Sequence, residues 1–249
     1  MTDLLPGAHA HFLGVRFDNV SLQSALDTIA RLSKDNKFEF VVTPNVDHLV
    51  RLHSDEVNPL LKHAYAQATL CLCDSRILQL MSRLSPTPLG VLPGSDLTAR
   101  LLELDLGRHP RIAVIGGDAT LLFSLQHKYP ASRWEQHVPP MGLMTNQFAQ
   151  EQVVQYVENS RASLYLFAIG SPQSELLCFQ IKSRGKAAGV GLCFGASLEF
   201  LTGAKSRAPL WMQRCSLEWL YRLLSEPRRL SRRYLLDGPR IISIWWRHR

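Results

Sequence analysis

Short apolar runs alternate with helical patterns along most of this chain, and no other feature of the sequence constrains its fold as strongly. The runs are FEFVV from residue 38, ATLCLC from 68, RIAVIG from 111, SLYLFAIG from 163 and AAGVGLC from 187. A turn and then a helical pattern follow each of the first four runs. This alternation predicts an α/β fold with a mostly parallel, Rossmann-like sheet and helices on both faces.

Polar residues and glycines follow the predicted strands. Pro44 cannot continue a central strand, so the first strand ends before it and opens into a loop. Ligands of open α/β sheets bind at the carboxyl ends of the strands, and the residues predicted there are Thr43, Asn45, Asp74, Gly116, Gly117 and Ser171. Structural interpretations stay open, because Asp74 and Asp96 also suit helix caps and the two glycines also suit a tight turn.

The C-terminal segment, residues 205–249, differs from the rest of the chain in charge. It contains eleven Lys or Arg against three acids, a balance of +8 in a chain whose total is +7, so residues 1–204 are near neutral. This shift predicts an α/β core over 1–204 and a helical, basic appendage over 205–249. Helical spacing places an apolar stripe of Trp211, Cys215, Trp219, Leu220, Leu223 and Leu224 opposite Arg214, Arg222, Arg228, Arg229, Arg232 and Arg233.

Three interpretations of this segment stay open. A helix rich in Trp, Leu and Arg suits the surface of an anionic membrane. The same pattern also suits a helix that packs on its own domain and keeps its basic face in water. Nucleic acid is the third partner that Arg and Trp can bind, and it is disfavoured because the rest of the chain shows no basic groove or nucleic-acid module.

The remaining composition narrows the class of protein. The chain of 249 residues has no run of eighteen apolar residues, and its N-terminus lacks the features of a secretion signal. We therefore expect a cytoplasmic protein without a membrane-spanning helix. Its five cysteines, at 71, 73, 178, 193 and 215, have no C-x-x-C spacing, which predicts buried, reduced thiols rather than a metal site.

Eight short motifs follow one another along nearly the whole chain. They are TPN at 43–45, the strand ending in Asp74, PGSDL at 93–97, IGGD at 115–118, GSP with Glu175, GASLEFLTG at 195–203, RAP at 207–209 and LEWLYRLLSEPRRLSRRY at 217–234. Together and in this order they resemble the WecG/TagA/CpsF family of bacterial glycosyltransferases. The last motif is long enough to be specific, whereas each of the others alone is a weak signal.

The resemblance implies a particular reaction and location. Such an enzyme transfers a sugar, with inversion and without a metal or other cofactor, from a UDP-sugar to a saccharide linked to polyprenyl diphosphate. The appendage would hold it peripherally on the anionic cytoplasmic face of the plasma membrane. No nucleic acid is expected as a partner, and a homo-oligomer stays open.

The resemblance also implies roles for individual residues. Asp74 would be the general base that takes the proton of the acceptor hydroxyl. The substrate would contact Thr43, Asn45, Asp96, Gln173 and Glu175, and the nucleotide would contact Gly116, Gly117, Gly170, Ser171 and Gly195. Without a metal, amides and arginines must stabilise the leaving UDP. The residues expected to contact the diphosphate or the membrane are Arg207, Trp211, Arg214, Trp219, Arg222, Arg228, Arg229, Arg232 and Arg233.

Three residues depart from the family pattern. Ser75 stands where the family usually has glycine, Val91 where it has arginine, and Ser174 where it has glutamine, although Gln173 is adjacent. These changes question the identity of the donor sugar more than the fold. They also leave open a non-catalytic member that binds a UDP-sugar or a lipid-linked intermediate as a scaffold. Arg76 and Arg83 are candidates to replace the missing arginine.

Overall fold

A computed structural model of the protein describes residues 8–86, 88–104, 110–195 and 197–248, with the side chains of Ala8, Leu210 and Arg214 left out. Its strands are β1 (Ala8–Phe12), β2 (Val15–Asn19), β3 (Phe38–Val42), β4 (Leu70–Cys71), β5 (Arg111–Gly116), β6 (Arg133–His137), β7 (Leu164–Ala168) and β8 (Gly189–Cys193). Its α-helices are α1 (Leu22–Leu32), α2 (Val46–Leu52), α3 (Pro59–Gln67), α4 (Arg76–Ser82), α5 (Gly94–Glu103), α6 (Ala119–Lys128), α7 (Gln147–Asn159), α8 (Gln173–Arg184), α9 (Ser197–Leu201), α10 (Leu210–Arg214), α11 (Glu218–Ser225), α12 (Pro227–Ser231) and α13 (Arg240–Arg247).

Six of the strands form one parallel sheet in the order β4-β3-β8-β7-β5-β6. In the sheet, β4 lies on one side of β3, whereas β5, the next strand along the chain, lies on the other side of β3. A sheet that reverses direction in this way opens a crevice at the carboxyl ends of its strands. The parallel α/β sheet predicted from the sequence is therefore confirmed.

Two separate apolar clusters cover the two faces of the sheet. Successive residues of a strand point to opposite faces, so Tyr165 and Phe167 of β7 join one cluster while Leu164 and Leu166 join the other. The first cluster includes side chains of α2, α3, α7, α8 and α13, and the second includes side chains of α1, α5, α6 and α9. The prediction of helices on both faces is confirmed.

One strand of the sheet was not predicted from the sequence. The edge strand β6 has the sequence RWEQH, which is not an apolar run. The sequence pattern therefore predicts almost no regular structure in this part of the chain. At the other end of the sheet, β1 and β2 form an antiparallel hairpin. Asp18 of this hairpin accepts a hydrogen bond from the Cys71 N–H at 2.7 Å, so a carboxylate occupies the place of a further strand beside β4.

The C-terminal segment is helical, as predicted, but not as one continuous helix. Residue Ser216 has φ +61° between α10 and α11, and a π-helical turn, Arg232–Asp237, separates α12 from α13. The apolar stripe across residues 211–224 is therefore broken. Ile241 and Ile244 of α13 are buried in the core cluster that includes α2. No helix among the described residues is long and apolar enough to cross a membrane.

Four of the five cysteines are buried and none of the five is in a disulfide. Cys178 and Cys193 lie with their sulfur atoms 3.5 Å apart. Cys215 is exposed beside the break between α10 and α11. The prediction of buried, reduced thiols is thus confirmed for four cysteines and wrong for the burial of Cys215.

Candidate active site

A cavity of about 860 Å³ runs along the carboxyl edge of the sheet. The loops after β3, β4, β5, β7 and β8 all contribute to its lining, so it spans the edge from β4 to β5. Four strand intervals of about 4.8 Å make this edge roughly 19 Å long. The C-terminal segment covers the cavity with Arg222, Arg229, Leu230, Arg233 and Tyr234.

Asp74 lines this cavity just beyond β4, where its backbone N–H bonds to the Pro44 carbonyl at 3.1 Å. The helix that follows begins at Arg76 and is capped by Ser75, whose hydroxyl accepts a hydrogen bond from the Leu78 N–H at 3.3 Å. The structural interpretation of Asp74 as the N-cap is therefore wrong. Ser75, which departs from the family pattern, caps the helix instead. The Asp74 carboxylate therefore does not cap the helix and lines the cavity.

The surroundings of Asp74 shift its proton affinity strongly. Burial raises the pKa of Asp74 from 3.8 to about 7, although the positive charge of Arg222 lowers it. Glu218 raises the pKa further, whereas a hydrogen bond from the Gly94 N–H and the charge of Arg207 lower it. A carboxyl group with a pKa near 7 is suited to accept a proton at neutral pH.

Thr43 and Asn45 lie beside Asp74 and line the same cavity. Thr43 is buried and donates a hydrogen bond to the Cys193 carbonyl at 3.4 Å, which joins the ends of β3 and β8. Asn45 caps α2, because its side-chain oxygen accepts a hydrogen bond from the Asp47 N–H at 3.1 Å. Its amide nitrogen remains the group that a ligand could use.

A charged network holds α2 to the loop after β7. Arg51 donates hydrogen bonds to the Ser171 hydroxyl at 3.1 Å and to Asp47 at 3.0 Å. Arg233 of the C-terminal segment also pairs with Asp47, at 3.0 Å. Burial lowers the pKa of His48 to about 3, with further lowering by the charges of Arg233 and Arg51, so this imidazole is neutral at physiological pH.

Glu175 is the most deeply buried acid of the cavity, with 2% of its surface exposed. The Tyr65 hydroxyl donates a hydrogen bond to Glu175 Oε1 at 3.2 Å. Burial raises the pKa of Glu175 to about 7, against lowering by its own N–H, by the hydroxyls of Ser171 and Tyr65, and by the charge of Arg51. The cavity therefore holds two carboxyl groups that are close to half-ionised at neutral pH.

The glycines predicted to contact a nucleotide have different surroundings. Gly117, Gly170 and Gly195 line the cavity, as does Ser171. Gly116 lies behind them, with φ +97°, and a Cβ atom there would come within 2.6 Å of Ile169 Cγ2 and 3.0 Å of the Ala168 carbonyl oxygen. Close packing of β5 against β7 accounts for glycine at residue 116.

Three of the predicted arginines line the cavity: Arg222, Arg229 and Arg233. Arg222 pairs with Glu218 at 2.8 Å and lies over the ring of Phe200, 4.9 Å from its centroid. Three others, Arg207, Arg228 and Arg232, lie outside the cavity lining, and the side chain of Arg214 lies outside the described part of the structure. Trp211 is 61% exposed, whereas Trp219 packs edge-on against Tyr234.

The structure does not bring two predicted substrate contacts to the cavity. Asp96 lies in the first turn of α5 and pairs with Arg207, without capping the helix. Gln173 lines a separate depression of about 410 Å³ between α3, α7 and α8. Arg76 and Arg83 are exposed and also lie away from the cavity.

The other two departures from the family pattern have structural explanations. Val91 packs against the core cluster on one face of the sheet. The Ser174 hydroxyl donates a hydrogen bond to the Gly170 carbonyl at 2.9 Å. Neither side chain offers a charge or an amide to a ligand. Within the described ranges, no group of three or more His, Cys, Asp or Glu residues could hold a metal ion.

The cavity also contains residues that the sequence did not single out. The ionisable ones among them are His48, Asp118, Glu199, Lys205 and Tyr234. Asp118 and Glu199 fall inside the IGGD and GASLEFLTG motifs, so the motifs could have pointed to them. Tyr234 is the last residue of the 217–234 motif, which could likewise have pointed to it. Nothing in the local sequence marks His48 or Lys205, because the folding of α2 and of the C-terminal segment around the cavity decides their position.

Comparisons with known proteins found similar sequences and a similar solved structure. Two relatives from Staphylococcus aureus carry the name N-acetylglucosaminyldiphosphoundecaprenol N-acetyl-beta-D-mannosaminyltransferase. The one from strain MRSA252 is 24% identical over 234 residues, and the one from strain MW2 is 23% identical over 233 residues; each alignment covers 90% of this chain and 88% of the relative. A solved structure, described as a highly conserved domain of unknown function with a distinct glycosyltransferase fold, overlaps 75% of this chain and 87% of its own with a TM-score of 0.40 and 13% identity.

The match to a family model covers almost the entire chain. The model describes the glycosyl transferase WecG/TagA/CpsF family and matches residues 10–249, which include the strands of the central sheet, the cavity and the C-terminal segment. The protein therefore belongs to the WecG/TagA/CpsF family of glycosyltransferases.

Proposed function

We propose that the protein is an inverting glycosyltransferase that moves a sugar from a UDP-sugar to a saccharide on polyprenyl diphosphate. The position of Asp74 carries the proposal, since this carboxyl group faces a large cavity, is released from helix capping and has a pKa of about 7. Family membership and the names of the relatives, which describe transfer to a diphosphoundecaprenol-linked sugar, support the choice of substrates.

In this mechanism the ionised Asp74 takes the proton of the acceptor hydroxyl while the oxygen of that hydroxyl attacks the anomeric carbon of the donor. Attack opposite the UDP leaving group inverts the anomeric configuration. The proton ends on Asp74, and the electron pair of the broken glycosidic bond ends on the UDP oxygen. Thr43 and Asn45, next to Asp74, are the proposed contacts that orient the reacting hydroxyl.

The proposed nucleotide site lies along the cavity at the turns after β5, β7 and β8, with the diphosphate extending toward Asp74, because the anomeric carbon is bonded to it. Gly117, Gly170 and Gly195 leave room for a diphosphate to approach the backbone there. Arg222, Arg229 and Arg233 supply positive charge from the C-terminal segment, where it can stabilise the developing negative charge on UDP without a metal.

We further propose that the C-terminal segment binds the cytoplasmic face of the membrane. Its exposed apolar side chains are Trp211, Leu224, Leu235, Leu236, Ile242 and Trp246, and they alternate with exposed arginines. Large apolar groups beside arginines favour the interface of an anionic bilayer. Residues 205–249 would then carry the active site to its lipid-linked acceptor.

The test is the release of UDP from a panel of UDP-sugars in the presence of a short-chain polyprenyl-diphosphate saccharide. Asp74→Asn should lower the rate at least about 100-fold, the usual contribution of a general base. Asp27→Asn, on the exposed side of α1, is the matched control and should keep the wild-type rate. Near-normal turnover by Asp74→Asn would remove this residue from the mechanism.

A non-catalytic scaffold is the second candidate, because Val91 and Ser174 provide neither a charge nor an amide where the family pattern has arginine and glutamine. The same experiment separates the two candidates. A scaffold would bind UDP but release none from any UDP-sugar of the panel, whatever the acceptor.

A further inference from the structure

The side chain of His48 carries a hydrogen-bond donor at Nε2. Its Nδ1 accepts a hydrogen bond from the Asn45 N–H at 3.0 Å, so the hydrogen of the neutral imidazole sits on Nε2. The arrangement is reversed in His53, His63 and His248, where Nδ1 lies 2.8 to 3.0 Å from a backbone carbonyl oxygen. The partner of Nδ1 therefore fixes a different tautomer in His48 than in these three histidines.

The capping of α2 does not use this donor. His48 completes a capping box with Asn45, and a capping box needs only an acceptor at the position of His48, which Glu or Gln usually supplies. The Nε2–H group has no hydrogen-bond partner among the residues that the structure describes. Because His48 is partly exposed and lines the cavity, this N–H is the group that the imidazole offers to a ligand.

The imidazole stays neutral even beside an anion. Burial lowers the pKa of His48 to about 3, and the charges of Arg233 and Arg51 lower it further. An anionic ligand within hydrogen-bond reach would raise this pKa by about 1 to 3 units, which leaves the imidazole mostly neutral at pH 7. A neutral imidazole with a lowered pKa can polarise an oxygen atom without giving up a proton.

His48 lies on the path of the proposed diphosphate. Helix α2 follows β3, which lies between β4 and β8 in the sheet. A diphosphate that extends from the turns after β7 and β8 toward Asp74, beyond β4, passes the carboxyl end of β3. Arg233, whose charge acts on His48, is one of the arginines proposed to stabilise UDP. The β-phosphate, which is bonded to the anomeric carbon through oxygen, is the part of UDP that comes to this end.

We propose that the Nε2–H of His48 donates a hydrogen bond to a β-phosphate oxygen of the UDP leaving group. This bond becomes stronger as negative charge develops on the phosphate, so it stabilises the transition state more than the bound donor. The inference rests on the proposed function, because it assumes that a UDP-sugar occupies the cavity. It adds a neutral donor on α2 to the three arginines of the C-terminal segment.

Two substitutions separate the roles of the two ring nitrogens. In His48→Asn the amide oxygen takes the place of Nδ1 and keeps the hydrogen bond from the Asn45 N–H, but nothing replaces Nε2. In His48→Gln the amide nitrogen reaches the place of Nε2, and Gln is also suited to the capping box. His63→Asn is the matched control, since His63 is exposed on α3 and lies outside the cavity lining.

Titration calorimetry measures the binding of UDP, UMP and a short-chain polyprenyl-diphosphate saccharide. His48→Asn should bind UDP about 10- to 100-fold more weakly than the wild type, as expected for one hydrogen bond to a charged group. It should bind UMP, which lacks the β-phosphate, and the lipid-linked saccharide as the wild type does. His48→Gln should restore the affinity for UDP to within about threefold, and His63→Asn should leave it unchanged.

Nitrogen NMR of the wild-type protein with ¹⁵N-labelled histidine is an independent measurement. At pH 7 His48 should give the signals of the Nε2–H tautomer. Saturation with UDP should shift the Nε2–H signal of His48, whereas saturation with UMP should not. A structural role in capping α2 would not produce this difference between the two nucleotides.

The outcomes separate this inference from the proposed function. The inference would be overturned by unchanged UDP affinity of His48→Asn, by equal losses for UDP and UMP, by a loss confined to the lipid-linked saccharide, or by an Nδ1–H tautomer. The proposed function would still stand, because the release of UDP from a UDP-sugar decides it. Failure of the wild-type protein to bind UDP would overturn both. A thermal unfolding scan checks that each variant is folded, and an unshifted Nε2–H signal in the wild type with UDP would overturn the inference even if neither variant is.

Discussion

Removing the Asp74 carboxylate should stabilise the protein, and the gain should grow with pH. Asp74 has a native pKa of about 7 compared with an ordinary value of 3.8. Between these two values the native state binds more protons than the unfolded state. The contribution of Asp74 to the free energy of unfolding therefore falls as pH rises through this window and levels off above about pH 7.

The pKa shift sets the size of this effect. At about 1.4 kcal/mol for each pKa unit, a shift of roughly three units corresponds to an upper limit of about 4 kcal/mol. Asp74 is only partly buried, so water in the cavity screens its charge. We therefore expect Asp74→Asn to gain about 1 to 2 kcal/mol at pH 8 and about 1 kcal/mol less at pH 5.

Denaturant unfolding of the wild type and Asp74→Asn at pH 5 and pH 8 measures the difference. Glu175 also has a raised pKa, but it is present in both proteins and its contribution cancels. Asp118→Asn is a control of opposite sign, because hydrogen bonds from the start of α6 lower the pKa of Asp118. If Asp74→Asn showed the same change in stability at both pH values, the burial argument for the raised pKa of Asp74 would be refuted.

Two further predictions concern the C-terminal segment. Glu218→Gln should move the acidic limb of the kcat/KM profile to lower pH, because the Glu218 carboxylate raises the pKa of Asp74. Glu226→Gln, at the junction of α11 and α12, is the control, and an unmoved limb in Glu218→Gln would contradict the assignment. Replacing Leu235, Leu236 and Trp246 together by serine should lower sedimentation with anionic vesicles roughly tenfold or more, because they are exposed apolar groups. The control is Phe123→Ser, equally exposed on α6, and undiminished sedimentation of the triple variant would exclude these residues as the anchor.

The parallel sheet could be predicted because its inner strands are buried on both faces and read as short apolar runs. The strand β5 is an example, since RIAVIG keeps five of its six residues buried. The edge strand β6 escaped prediction because only one neighbour pairs with it and its residues are half-exposed and polar. The break at Ser216 escaped because helical periodicity continues across it while the backbone does not.

The candidate site was predictable in part. Residues directly after strands, such as Thr43, Asn45 and Asp74, could be placed at one edge because parallel strands bring their carboxyl ends together. The burial of Glu175 in the cavity could not be foreseen, because it depends on contacts between residues far apart in sequence, such as the hydrogen bond from Tyr65 to Glu175. Ion pairs between residues far apart in sequence, such as Arg233 with Asp47, cannot be predicted from local sequence patterns either.

The carboxylate of Asp47 joins two parts of the molecule that could otherwise move separately. It holds Arg233 of the π-helical turn on one side and Arg51 on the other, and Arg51 in turn grips the loop at Ser171. Undocking the C-terminal segment would leave Asp47 with one cation instead of two and loosen that loop. Linkage makes the relation reciprocal. A ligand that orders the Ser171 loop also favours the docked segment. Lipid contact that fixes the segment would raise the affinity for that ligand by the same factor.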